Sequence, residues 1–220
     1  MKHIVKGNEP RSLVEHRSQP YADYDNYPQK DDLRQSLLTE QGYICCYCMQ
    51  RIAHDTMKIE HWQPQSIYPD LQLDYRNLLG ACHGNQGQPQ RVQHCDTRKG
   101  ETKITINPAD ASKNCENFIK YRSSGQIYSD DETINNELNE FLNLNLETLT
   151  RNRKAAMDAV IDGLRKKYPS KSWTVGILSK EIAKFDNVTQ TAKYRPYCQF
   201  VVFLLNKKLS VAKNQAKSQE

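Results

Sequence analysis

The chain has 220 residues, 37% hydrophobic and 26% charged. That is enough for one large domain or two small ones, with a core that needs no disulfide staples. No apolar run approaches the length of a membrane span, and MKHIVKGNEPRSLVEH at the start lacks a secretory signal's apolar stretch. A membrane protein is therefore not expected, and a soluble, cytoplasmic one is. The net charge of +5 is uneven, with 16 Lys and Arg against 21 Asp and Glu in residues 1–150, but 15 against 5 in residues 151–220. The basic C-terminal third suits a polyanion or an acidic partner surface; the plainer alternative is a solvated, lysine-rich helical face.

In chain order, the polar, tyrosine-rich SQPYADYDNYPQ (18–29) reads as an extended loop. Asp31 is expected to cap a helix over DLRQSLLTEQ, which Gly42 ends. From Tyr43 to about Gly100 the chain is punctuated by Cys, Pro, Gly and Asn, with MKIEHW and NLLGAC as short strand candidates. YRSSGQIYS (121–129) predicts a hairpin around Ser-Ser-Gly. From Thr133 apolar residues recur at helical spacing: Ile134, Leu138, Phe141, Leu142, Leu149, Met157, Val160, Ile161 and Leu164, up to Lys167, with Pro169 closing the segment. Two further helices are predicted at about 174–185 and 196–215, with Pro196 in a first-turn position.

Seven cysteines in a reducing compartment favour a metal site over a disulfide framework. Cys45 and Cys48 form a CxxC knuckle, a spacing that lets two thiolates grip one tetrahedral ion. Cys46 points away and is assigned to packing. A redox dithiol uses the same spacing, but the strand-then-helix setting of a thioredoxin-like motif is missing. Cys82 and Cys95 complete a C-x2-C-x33-C-x12-C pattern, with HGNQGQPQRVQH as an inserted surface loop. Four thiolates make a closed structural zinc site with no open position for water. His83 and His94 each neighbour a ligand and are alternative donors. Cys115 and Cys198 have no close partners and read as free buried thiols.

Between the cysteine pairs lie KIEHWQPQS and LDYRNLLGAC. An isolated Glu-His pair such as Glu60-His61 is most often an ordinary surface pair. Here a proline follows three residues after His61, Asn-Leu-Leu precedes Cys82, and an acid follows Cys95. The order CxxC, (D/E)H-x-x-P, NL-x-x-x-C, C-(H/N/D)-x-x-K resembles the HNH endonucleases, whose ββα-metal core is often held by a four-cysteine zinc. EP-x-x-L, LL-x-EQ-G-x-x-C, YC, IEH-x-x-PQS, LDY-x-NLL and HCD-x-x-KG are closer still to the PtuB-like HNH proteins of bacterial anti-phage systems, Septu and its retron-linked relatives. The resemblance covers roughly residues 1–130.

The resemblance implies an α+β fold: a zinc-clamped HNH (ββα-metal) core with an N-terminal extension and a C-terminal α-helical module. Its expected parts are an N-terminal loop and helix (1–42), the nuclease core (43–130) and a basic helical module (131–220). His61 takes the place of the general base, and Asn77 that of the asparagine that orients this histidine and fixes the loop. Glu60 and Asp96 stand where the family binds its catalytic divalent ion, a carboxylate-rich pair suited to Mg²⁺ or Mn²⁺. Arg98 or Lys99 could hold a neighbouring phosphate, against the plainer alternative of a solvated helix start. The implied partners are a nucleic-acid substrate, DNA or RNA, a PtuA-like ABC/SMC-type ATPase, and in retron settings a reverse transcriptase with its DNA–RNA hybrid. Phosphodiester hydrolysis fits these residue types: neutral imidazole takes a proton from water, and a hard cation offsets charge on the phosphate. Two rivals are a catalytically silent zinc module that binds nucleic acid or an ATPase, and a redox or zinc-storage protein. Glu60, His61 and Asp96 together count against the first, and the IEH-x-x-P and NLL segments against the second.

Overall fold

The computed structural model describes residues 1–169 and 173–217. After an extended N-terminal strand of chain come helix α1 (Arg11–Arg17), the tyrosine-rich loop and helix α2 (Lys30–Glu40). Asp31 lies inside the first turn of α2 rather than at its N-cap, which is Gln29 with no side-chain cap. With Asp32 it opposes the positive end of the helix dipole instead of accepting from the backbone. Gly42 ends the helix as expected. Its φ is +57°, and a Cβ there would lie 2.5 Å from the Tyr194 ring. The Tyr43 N–H returns to the Leu38 carbonyl at 2.9 Å, closing the helix end.

Residues 43–52 fold back on themselves as the knuckle, with Ile44 bridging Arg51 and the Cys45 N–H donating to Gln50 O at 2.9 Å. Strands β1 (Met57–His61) and β2 (Leu78–Cys82) pair antiparallel, with Glu60 opposite Leu79 and His61 opposite Leu78. The buried Gln41 side chain ties the knuckle to this sheet: it donates to Ile44 O and Gly80 O and accepts from the Gly80 N–H at 2.6 Å. That is why a glutamine sits in the core: each polar atom of its amide has a backbone partner. The short helix α3 (Cys95–Lys99) packs beside β2. Its entry is fixed by the Cys95 N–H donating to Leu142 O at 2.9 Å.

The second hairpin, β3 (Lys120–Tyr121) with β4 (Ile127–Tyr128), forms as predicted around Gly125, whose φ is +93°. The apolar period from Thr133 to Lys167 is not one helix. It breaks into α4 (Glu132–Asn136), a π-helical turn over Glu137–Phe141, and α5 (Glu147–Lys167). Asparagines cause the break. Asn143, at φ +47°, donates to Arg91 O and Gln93 O, and Asn145 bonds both backbone groups of Ile127. Glu137, buried in the π-turn, accepts from the Thr105 and Ile106 N–H groups. Helices α6 (Val175–Asp186) and α7 (Cys198–Lys217) follow and pack on each other. Pro196 lies before α7, not in its first turn. The intervening Tyr197 has φ +58°, and its N–H donates to Met49 O in the knuckle.

One cluster of buried apolar side chains runs from Met1 and Leu13 through the knuckle and both hairpins to Leu149, Phe200 and Leu205. The three sequence segments thus share a core. Arg153, one of the charges of the basic C-terminal third, is buried rather than solvated. Its guanidinium donates to Gly125 O and Leu144 O at 2.6 Å each, so it knots hairpin, loop and α5 together. No helix among the described residues is long and apolar enough to cross a membrane.

Candidate active site and metal centre

The four sulfurs of Cys45, Cys48, Cys82 and Cys95 lie within 4.8 Å of one another, all buried. The Cys45–Cys95 and Cys48–Cys82 sulfur pairs are 3.9 and 3.8 Å apart. A disulfide needs about 2.05 Å, whereas a tetrahedral zinc with bonds of about 2.3 Å places its sulfurs about 3.8 Å apart. The donor set therefore fits zinc. Cys46 is outside the cluster; its backbone N–H donates to Gly80 O, and burial pushes its thiol well up. The Cys82 N–H points at Cys45 Sγ, 3.3 Å away. Buried His94 places Nδ1 3.2 Å from Cys95 Sγ, so it supports the cluster from outside the four sulfurs. His83 is exposed, and its backbone carbonyl accepts from the Thr97 hydroxyl.

Glu60 and Asp96 meet between β1 and α3. Glu60 is 1% exposed. Its Oε1 accepts from the Tyr47 hydroxyl at 2.7 Å and from Lys99 Nζ at 2.8 Å. The Asp96 Oδ2 pairs with Lys58 Nζ at 2.5 Å. Burial and then the hydrogen-bonded Asp96 push the Glu60 carboxyl well above the usual carboxylate range. Burial would raise Asp96 as well. The hydrogen bond from Glu60 and the charge of Lys58 outweigh it and hold Asp96 below its usual value. Two carboxylates this close must share a proton or a cation, and Lys99 at Glu60 and Lys58 at Asp96 are the cations at hand.

His61 follows Glu60 on the strand and is half-buried. Its Nε2 lies 3.0 Å from Gln72 O. A carbonyl only accepts, so Nε2 carries the hydrogen and Nδ1 keeps the lone pair. Burial lowers the His61 pKa below its ordinary 6.5 despite the Gln72 carbonyl. The ring is therefore neutral near pH 7. Tyr24 packs edge-on against it, with centroids 4.5 Å apart. The Gln72 side chain in turn accepts from the Tyr24 N–H and from Gln65. Asn77 pins the same loop: its Oδ1 accepts from the Gln63 N–H at 2.7 Å, and its Nδ2 donates to Gln63 O and Leu71 O. Asn77 thus acts on His61 through the loop that carries Gln72.

Of the candidate phosphate ligands, neither side chain is free. Lys99 is buried and reaches Glu60 and the His61 carbonyl, the latter at 3.1 Å. It is an internal strut, not a solvated helix start. Arg98 donates to Glu140 O and Gln90 O. Three residues at the site carried no assigned role in the sequence analysis. Lys58 could have been found from strand alternation, which puts it on the face of Glu60. Tyr47 belongs to the YC pair of the resemblance, which marks the position without giving the tyrosine a role. Gln72 contributes a backbone carbonyl, which leaves no residue-type signal.

A hard cation fits in part. The Asp96 side chain is 15% exposed and is the more accessible donor, while that of Glu60 is 2% exposed. Lys58, whose side chain is 31% exposed, stands at Asp96 where a cation would go. The cysteine cluster is the one group of three or more such ligating side chains among the described residues.

No family model matches the chain. It is 26% identical over 155 residues to the retron Vc95 putative HNH endonuclease of Vibrio cholerae serotype O1 biovar El Tor, covering 65% of this chain and 72% of that one. It is 24% identical over 145 residues to the Septu protein PtuB of Bacillus thuringiensis, covering 61% of this chain. That match spans about half, 52%, of the Septu protein.

Proposed function

We propose, from the premise that this chain is a PtuB-like HNH defence protein by its motifs and its two relatives, that it is a metal-dependent endonuclease. It hydrolyses nucleic-acid phosphodiester bonds as the effector of an anti-phage system. The observation that carries this is His61. Its imidazole is neutral near pH 7 with Nε2 fixed by a carbonyl, on the strand that carries Glu60, in a fold whose four clustered cysteines can hold a metal.

In this mechanism His61 Nδ1 takes the proton from the attacking water. The Gln72 carbonyl keeps the ring oriented and helps bear the charge it gains, and Asn77 keeps Gln72 in place. Asp96 would hold Mg²⁺ or Mn²⁺, with Lys58 moving aside. The ion would offset charge on the phosphate and leaving oxygen. Zinc at the four cysteines would have no open position and would take no direct part in the chemistry. The β1–β2–α3 unit is the part we assign to the ββα-metal fold. The resemblance further implies control by a PtuA-like ATPase and, in a retron setting, a reverse transcriptase with its DNA–RNA hybrid. The exposed Arg165, Lys166, Lys167, Lys207 and Lys208 give the chain a basic face for such a complex or for phosphates.

The second reading, a silent zinc scaffold, is favoured by one observation: Lys58 and Lys99 already balance the two carboxylates. Purified protein, alone and with a PtuA-like ATPase, separates the two on plasmid, single-stranded DNA and total RNA, with and without Mg²⁺. Mg²⁺-dependent cutting lost in His61→Ala is expected. Binding without cutting in every condition means a scaffold.

A further inference from the structure

Tyr47 raises a question that the cysteines around it obscure. It lies in the knuckle between Cys46 and Cys48 and is fully buried. A buried hydroxyl costs free energy unless it is bonded, and phenylalanine would fill the same space without that cost. The hydroxyl donates to Glu60 Oε1 at 2.7 Å. Lys99 reaches the same oxygen from α3 at 2.8 Å.

The ends of this bond sit on the two parts of the site. Tyr47 is one residue from a zinc-cluster cysteine, Cys48, and two from the other knuckle ligand, Cys45. The knuckle backbone is locked by Met49 N–H to Cys45 O and Cys46 N–H to Gly80 O. An aromatic side chain has few rotatable bonds, so the position of its hydroxyl follows from that backbone. Glu60 precedes His61 on β1 and lies against Asp96, whose neighbour Lys99 also reaches its Oε1.

We infer that Tyr47 is a positioning residue that transmits the geometry of the four-cysteine knuckle to Glu60 and through it to Asp96. The cysteine cluster then aims the catalytic carboxylates as well as bracing the fold. Glu60 acts as a fixed internal acceptor behind Asp96, not as a directly exposed ligand. This rests on the proposed nuclease reading, because it requires that Asp96 hold a divalent ion.

The test is Mn²⁺ binding, followed by electron paramagnetic resonance and calorimetry, on the full-length zinc-loaded protein. Zinc content and melting temperature are measured in parallel. In Tyr47→Phe, zinc stoichiometry should stay at one while Mn²⁺ affinity falls about 10-fold or more, the usual size of an outer-shell effect. Asp96→Asn should lose Mn²⁺ binding. Unchanged Mn²⁺ affinity in Y47F, with wild type binding and D96N not, overturns the inference and leaves the nuclease reading standing. Absence of Mn²⁺ binding by the wild type overturns both.

Y47F alone leaves a buried carboxylate short of a donor and risks not folding. The double variant Y47F/E60Q against Glu60→Gln then decides. Equal Mn²⁺ affinity is expected, since the tyrosine acts through Glu60. A further loss in the double variant overturns the inference.

Discussion

His61 is held by one carbonyl, and that bond selects which nitrogen can act as a base. His61→Ala should lower cleavage by at least about 10²–10⁴-fold with zinc content unchanged, as measured by single-turnover rates and elemental analysis. The same burial sets a pH dependence. The unfolded chain takes the proton near pH 6.5, and the folded ring only at lower pH. Between those values the unfolded state binds more protons, so the His61 contribution to stability falls as pH drops through that window. His61 stays neutral over the same window, so if it is the base of the proposed reaction the acid limb of the rate profile should lie below pH 6.5; a limb above neutrality would assign the base to another group. Lys99 makes a second residue-scale prediction. Its pair with Glu60 leaves 1% and 2% of the two side chains exposed. Lys99→Met would strand a carboxylate in the core, at a cost of about 3–5 kcal/mol, read as a lower denaturant midpoint. A solvated Lys99 predicts almost no change.

At the scale of elements, the strand period explains the site and the helical period misleads. Alternation along β1 puts Lys58 and Glu60 on one face, where α3 delivers Asp96 and Lys99 to them. The short α3 begins at a cysteine of the cluster, so losing the metal should release both carboxylate-bearing elements together. Cys45→Ser is therefore expected to lose zinc and solubility at once, because metal binding here is part of the folding free energy. Cys46→Ser should keep both. Elemental analysis finding no zinc in soluble wild-type protein would sink this account. Cys115 and Cys198 offer a control: burial pushes each thiol up to about 11, so both should resist alkylation near neutral pH in the native protein.

Across the whole molecule, the basic C-terminal third is joined to the rest by more than a linker. Tyr197 N–H bonds Met49 O, Tyr194 N–H bonds Gly42 O, Arg153 bonds Gly125 O, and Phe200 packs edge-on against Tyr121. Truncation after residue 130 would open this shared core, so the remainder should be insoluble or molten, as judged by its thermal transition. A cooperative, zinc-replete fragment 1–130 would show that the first two segments fold alone. The outward charges are a separate matter. Reversing Lys166, Lys167, Lys207 and Lys208 should leave folding intact and weaken complex or nucleic-acid binding in a salt-dependent way. Binding unchanged at every salt concentration counts against an electrostatic face.

From sequence alone came the four-cysteine grouping, the two strands of β1–β2, the second hairpin and the resemblance that points to His61, Asn77, Glu60 and Asp96. These are legible because each rests on local spacing or on residue chemistry that few other roles use. Only the tertiary structure decided that Lys99 and Arg153 are buried, that the Tyr47 hydroxyl closes on Glu60, and that asparagines break the helix before α5. Each of those depends on partners distant in the chain: Lys99 on Glu60, Arg153 on Gly125, Asn143 on Gln93. A lysine or arginine has the same composition and helical spacing whether it faces water or a carbonyl. Which it meets is set by the packing of elements, and no local pattern encodes that.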